Sequence, residues 1–297
     1  MCAAFATIAC RGIFVVRCPN CGRDNPGEPK FCQFCAHEFE SKNDEVPASE
    51  LTLPTNLPVP DMPGIGSVLR YGLATYFRHF GLIFRTVVAV WLPVELVKNY
   101  LYYKLGVQNS AVTWRIEGLL QEVFGTLVVP AIIFGIVETT RTGSRPSVRE
   151  CLRWSRPKWG ATIGATFRAG LIVGLGLVLL IVPGIVFLTW YVFVTHAVAV
   201  EDRSKSDALS RSKQLSAGHR WTIFGVGLVV VLVWLLLLFA ASVSFAFADH
   251  WLAATAVDLV NDVAFELPTV VFLMYFLHLV QREKHQSSVA IAAGQNA

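Results

Sequence analysis

The sequence predicts an all-α polytopic membrane protein: six transmembrane helices arranged as three hairpins, each preceded by an interfacial amphipathic helix, behind a small N-terminal β module. Three observations predict this class. Of 297 residues, 54% are hydrophobic and 15% charged, with a mean hydropathy of +0.52, where soluble domains carry about 25% charged residues. Six apolar runs reach or approach the roughly 20 residues that cross a bilayer. Four cysteines in two Cys-x-x-Cys pairs stand ahead of the first run.

Residues 1–15 read as an N-terminal extension. They hold a short apolar stretch without a basic n-region, which argues against a signal peptide. Translation from near Val15 or Val16 stands as the alternative.

Residues 16–38 form the module. Cys18 and Cys21 are separated from Cys32 and Cys35 by ten residues, a spacing that lets four thiolates converge tetrahedrally on one ion. Pro19 and Gly22 shape the first knuckle, and Asn25, Pro26 and Gly27 are turn residues expected between two short strands. Phe31 and Phe34 supply the little core available, so the bound ion carries most of the folding free energy. The segment Cys18 to Cys35 resembles the short bacterial zinc ribbons at the ends of many membrane proteins, with Ala36 where the second knuckle usually carries Gly. The resemblance implies one structural Zn2+, with iron the chemical alternative for a thiolate set. Arg17, Arg23 and Lys30 stand against Asp24 and Glu28. That is no nucleic-acid footprint, and protein contact is the expected role. Residues 39–63, rich in Pro, Ser, Asn and acids, read as a flexible linker.

The membrane domain spans residues 64–284, and 285–297 read as a disordered tail. The apolar runs are Phe80 to Lys98, Glu117 to Val137, Ala161 to Val182, Gly184 to Val200, Thr222 to Ala246 and Leu259 to Val280. Pro183-Gly184 is expected to turn the third into the fourth. Fifteen Lys and Arg flank one set of ends, among them Arg78, Arg141, Arg220 and Arg282, against Lys98, Lys104 and Arg115 at the other. The positive-inside rule then places both termini in the cytoplasm, with the chain in a bacterial inner membrane. A reducing cytoplasm also suits metal-binding thiolates.

A repeat emerges when the runs are paired. Ile65, Val68, Leu69, Gly72, Leu73, Tyr76 and Phe77 share one face before Arg78-His-Phe80. Val148, Cys151 and Leu152 precede Arg156-Pro-Lys-Trp159, and Ala208, Leu209 and Leu215 precede His219-Arg-Trp221. Ser147-x7-Ser155 matches Ser204-x7-Ser212. Such stretches suit the headgroup level of anionic lipid, anchored by Arg78, Trp159, Arg220 and Trp221. The segments Leu179-Leu-Ile-Val-Pro-Gly-Ile185, Ala208-Leu-Ser-Arg-Ser212 and Gly218-His-Arg-Trp221, with Glu201, Tyr275 and Arg282, resemble the membrane domain of the glycerophosphoryl diester phosphodiesterase type and its uncharacterised relatives. The resemblance covers about Gly64 to Lys284. In that family the hydrolase is a separate domain for which this chain has no room, so the resemblance implies no hydrolysis here.

Ionisable residues inside spans call for a functional hypothesis. Glu95, Glu122 and Glu266 fall about 20 Å above the cytoplasmic boundary at 1.5 Å per residue, with Arg168 about 12 Å above it and able to reach one of them. They form the expected intramembrane polar site. No catalytic constellation stands out. The expected function is therefore non-enzymatic: an adaptor or regulatory protein whose ribbon docks a protein partner and whose membrane domain engages lipid, with homo-oligomerisation open. The alternative is a small-solute, ion or lipid transporter or channel that uses the intramembrane carboxylates.

Overall fold

The computed structural model describes residues 15–17, 24–26, 57, 59–106, 111–202, 204–246 and 250–294. The chain divides into two units, Met1–Pro47 and Ala48–Ala297. In the first, strands β1 (Val15–Arg17) and β2 (Asp24–Pro26) pair antiparallel, with Arg17 opposite Asp24. Asn25 and Pro26, expected in a turn, are strand residues. Cys18, Cys21, Cys32 and Cys35 lie outside the described residues.

The second unit is helical. Its elements are α1 (Ile65–Arg78), α2 (Phe80–Leu105), α3 (Ala111–Leu120), a π-helical segment (Gln121–Gly125), α4 (Thr126–Thr142), α5 (Val148–Ser155), a 3₁₀ turn (Arg156–Lys158) and α6 (Trp159–Leu179). They continue as α7 (Ile181–Tyr191), α8 (Val194–Glu201), α9 (Lys205–Ser216), α10 (Arg220–Ala246) and α11 (Trp251–Gly294). Among the described residues six helical stretches are long and apolar enough to cross a membrane. The core runs along α11, where Val270 to Val280 are all buried, against Val68, Tyr76, Ile83, Val87 and Phe193. Helix α11 packs along both α1 and α2, so the first and last helices of the unit are neighbours.

Close approach dictates small residues at two contacts. A Cβ on Gly72 of α1 would lie 2.8 Å from the Val271 backbone. One on Gly184 would lie 2.5 Å from Leu177. The second contact corrects the expected turn. Helix α6 ends at Leu179, the single extended residue Leu180 reverses the chain, and Pro183-Gly184 sit in the first turn of α7. Pro is tolerated there because a first-turn N–H has no intrahelical partner.

The serine repeat has a structural meaning. Ser147 caps α5, accepting from the Glu150 N–H at 3.3 Å, while Glu150 accepts from the Ser147 N–H at 2.7 Å. Ser204 caps α9, accepting from the Asp207 N–H at 3.4 Å. Eight residues on, each helix turns a second serine into the bundle. Ser155 donates to the Leu127 carbonyl at 2.5 Å. Ser212 donates to the Trp190 carbonyl at 2.7 Å and accepts from the Phe193 N–H at 3.1 Å, so it spans the break between α7 and α8. Ahead of the first hairpin the same two positions are Gly64, at the start of α1, and Gly72.

Two boundaries also differ from the sequence reading. The end of the expected linker is packed: Leu57 and Met62 are core residues, and the Leu57 carbonyl accepts from Gln281 Nε2. The expected tail is helical to Gly294, because the Ala-rich stretch after Lys284 favours continuing α11.

Ser212→Ala removes two bonds at a buried helix break and is expected to lower stability by about 1–3 kcal/mol, whereas Ser210→Ala, on the exposed face of α9, leaves it unchanged. Thermal unfolding of both variants in detergent checks this.

Candidate functional site

Polar side chains converge where the C-terminal turns of α2 meet the C-terminal part of α3 and the N-terminal part of α11. Helices α2 and α11 run antiparallel, with Lys98 beside Asp258 and Tyr100 against Trp251. This end of the bundle is opposite the ends that carry Arg141 and Arg282. A cavity of about 310 Å³ opens here. Its charged members are Glu95, Lys98, Glu117, Asp258 and Asp262, and Trp91, Trp234 and Phe265 supply aromatic surface.

Lys98 organises the cluster. Its Nζ lies 2.5 Å from Glu95 Oε2, 2.9 Å from Asp258 Oδ2 and 3.8 Å from Glu117 Oε1, and its side chain is 7% exposed. Asn99 donates to the same two carboxylates, at 3.2 Å to Glu95 and 2.9 Å to Asp258, and to Thr255 at 3.4 Å. An ammonium taken out of water costs several kcal/mol unless it is paired and hydrogen-bonded, and here several acceptors share it.

Three acids line one face of α11: Asp258, Asp262 and Glu266 follow at intervals of four, one helical turn each. Asp262 Oδ2 and Glu266 Oε2 are buried without a hydrogen-bond partner among the described residues. Tyr76 of α1 donates to the Val263 carbonyl at 2.8 Å. Burial, and then the Glu266 charge, push its phenol up to about 12.

Of the four residues expected to form an intramembrane site, Glu95 lies in the cavity and Glu266 is buried one turn beyond Asp262. Glu122 and Arg168 are elsewhere. Glu122 leaves the π-helical segment toward α6, where Thr166 Oγ1 donates to it at 2.7 Å, while its neighbour Gln121 lines the cavity. Arg168 is exposed and makes no ion pair among the described residues. Two residues along a helix turn a side chain by about 200°, so α6 packs Thr162, Ala165 and Ala169 inward and turns Arg168 out.

Lys98, Asn99, Glu117, Asp258 and Asp262 escaped the sequence reading. In the sequence Lys98 stands among the flanking charges, and the last apolar run begins one residue after Asp258. The signals were the interval of four along α11 and the Glu95, Lys98, Asn99 spacing of one helical turn.

The expected anchors divide. Trp221 is 86% exposed and Arg78 is exposed. Arg220 lies over the Trp190 ring at 5.1 Å, on which Lys213 also sits at 4.5 Å. Trp159 acts internally, donating from Nε1 to the Val123 carbonyl of the π-helical segment at 2.8 Å. Lys158, expected as an interfacial charge, is buried, and its Nζ meets the Ala199 carbonyl at 3.1 Å and Asp202 at 3.0 Å at the end of α8. Arg211 of α9 ties two other ends together through Glu201 of α8 and Glu283 of α11 at 2.9 and 2.6 Å. Its burial lowers the guanidinium pKa, but these bonds outweigh that and hold it above the ordinary value.

Lys98→Met leaves Glu95 and Asp258 buried without their cation, and breaking such a pair costs about 3–5 kcal/mol. Arg168→Gln is expected to leave stability unchanged. Thermal unfolding of the two variants side by side checks the contrast.

Residues 108–281 match the model of a family described as Domain of unknown function (DUF7847). No curated protein and no solved structure matches the chain.

Proposed function

The chain belongs to the DUF7847 family, and on that premise we propose that it is a multi-pass membrane protein that binds a small polar solute within the membrane, the binding step of a carrier. One observation carries this reading. Side chains as costly to bury as Glu95 and Lys98, 4% and 8% exposed, border an open cavity and are not packed away from one. Intramembrane ionisable groups mark substrate or ion pathways by default, and a volume near 300 Å³ that sets charged and amide side chains among aromatic walls is that of a small-molecule site. The distribution of basic residues supports a cytoplasmic side at Arg141 and Arg282, an inner-membrane location and a cavity in the opposite leaflet. Exposed apolar residues of α1 and of the spans support lipid contact, with α1 at the headgroup level.

The test fills the cavity. Gly118 lines it, and nothing lies within 4 Å of a Cβ built there. Purified wild type and Gly118→Trp are incubated with a bacterial metabolite extract, and retained small molecules are identified by mass spectrometry. A solute held by wild type and lost from Gly118→Trp supports the reading, and identical retained sets refute it.

A second reading concerns the N-terminal unit. Two Cys-x-x-Cys pairs ten residues apart favour a one-zinc ribbon that docks a protein partner on the cytoplasmic side. Elemental analysis is expected to find one zinc per chain, lost in a Cys18→Ser/Cys21→Ser variant that also loses cross-linked partners. A metal-free wild type, or an unchanged partner list, would remove it.

A further inference from the structure

We propose that the cavity takes a primary ammonium carrying a short apolar body, and that Lys98 is the built-in cation with which this ligand competes for carboxylates. The inference rests on the solute-binding reading and names its substrate class. Among the lining residues Glu95, Glu117, Asp258 and Asp262 stand against the single cation Lys98. Lys98 contacts the first three of these acids, and Asp262 Oδ2 is left buried without a hydrogen-bond partner among the described residues. Glu266, 2% exposed and one turn further along the same face, also leaves Oε2 unpartnered, but it is not a lining residue. A buried carboxylate oxygen without a donor is a costly arrangement. A ligand that brings N–H donors relieves it, and a ligand that brings positive charge also offsets the excess of acids.

The neutral amides of Gln121 and Asn261 also line the cavity, but no lining residue other than Lys98 brings positive charge. Helix α2 contributes Glu95, Lys98 and Asn99, whose donors are already engaged. Helix α3 adds Glu117, and α10 faces the cavity with Trp234 and Leu237, neither of which titrates. From α1, the Tyr76 hydroxyl is committed to the Val263 carbonyl.

The rest of the ligand follows from the walls. Trp234 and Phe265 meet edge to face, centroids 6.2 Å apart at 72°, beside Trp91. Aromatic faces attract an ammonium and also accept an apolar body. A bare metal ion is a poorer match, since no three His, Cys, Asp or Glu side chains among the described residues are arranged to hold one. A volume of about 310 Å³ falls at the small end of the range for small-molecule sites, the class that takes a small arylalkyl amine.

The test uses the full chain in detergent and three probes of one shape: 2-phenylethylammonium, 2-phenylethanol and 3-phenylpropionate, titrated by calorimetry. The ammonium is expected to bind about tenfold or more tighter than the alcohol, and the carboxylate not at all. Asp262→Asn is expected to weaken the ammonium by a similar factor and leave the alcohol unchanged. Glu117→Gln, at a side chain 45% exposed, carries the same test if Asp262→Asn does not fold. Equal binding of ammonium and alcohol, failure of the ammonium to bind, or indifference to the acid substitutions overturns the substrate class. These outcomes are separable from the Gly118→Trp result: a solute lost from that variant while the probes fail keeps the cavity as a site for another chemistry, and unchanged retention removes both.

Discussion

Hydrocarbon offers the backbone no hydrogen bonds, so each interruption of a spanning helix has to be healed from within the protein. This chain interrupts its spans repeatedly and heals them with side chains from the short helices and from the spans themselves. The π-helical segment is tied by Trp159 and by Thr126, whose hydroxyl lies 2.7 Å from the Glu122 carbonyl. Ser155 bonds α4 near Pro130, and Ser212 spans the break between α7 and α8. The short helices are therefore parts of the core as well as of its edge. Their amphipathic pattern reflects contact with spanning helices at least as much as any contact with lipid.

The interruption at Gln121–Gly125 also shapes the polar site. Within it Gln121 borders the cavity while Glu122 turns to Thr166 of α6. Adjacent residues thus serve opposite sides of one helix, and the acid nearest in sequence is removed from the cluster around Lys98. What remains is a group of acids larger than its one ammonium can neutralise, walled by rings. Such an arrangement is stable only because Lys98 and Asn99 each reach more than one carboxylate.

Much of the scaffold was legible. Six apolar runs, the positions of α1, α5 and α9, and the equivalence of the Ser147 and Ser204 units all appear in the sequence, because they express local periodicity and cap chemistry. The site was half legible. Glu95 and Glu266 stood out as acids inside apolar runs. Asp258 and Lys98 did not, because they lie at run ends, where hydropathy cannot distinguish a flanking charge from a buried one. Arg168 misled for the opposite reason: depth along a helix is readable from sequence, but the direction a side chain faces depends on which neighbour the helix meets. The Pro183-Gly184 pair misled because its turn chemistry serves equally well in the first turn of a helix packed closely on Leu177.

The contact between the first and last helices has a consequence for how the chain is made. Lys98 and its partner Asp258 are separated by 160 residues. At 5–20 residues per second, α2 waits on the order of ten to thirty seconds in the membrane before α11 is synthesised. During that interval the Asp258 acceptor does not yet exist. Glu95, three residues before Lys98 on the same helix and 2.5 Å from its ammonium, is the counter-ion that travels with it. The ion pair that borders the cavity is thus contained within α2 itself.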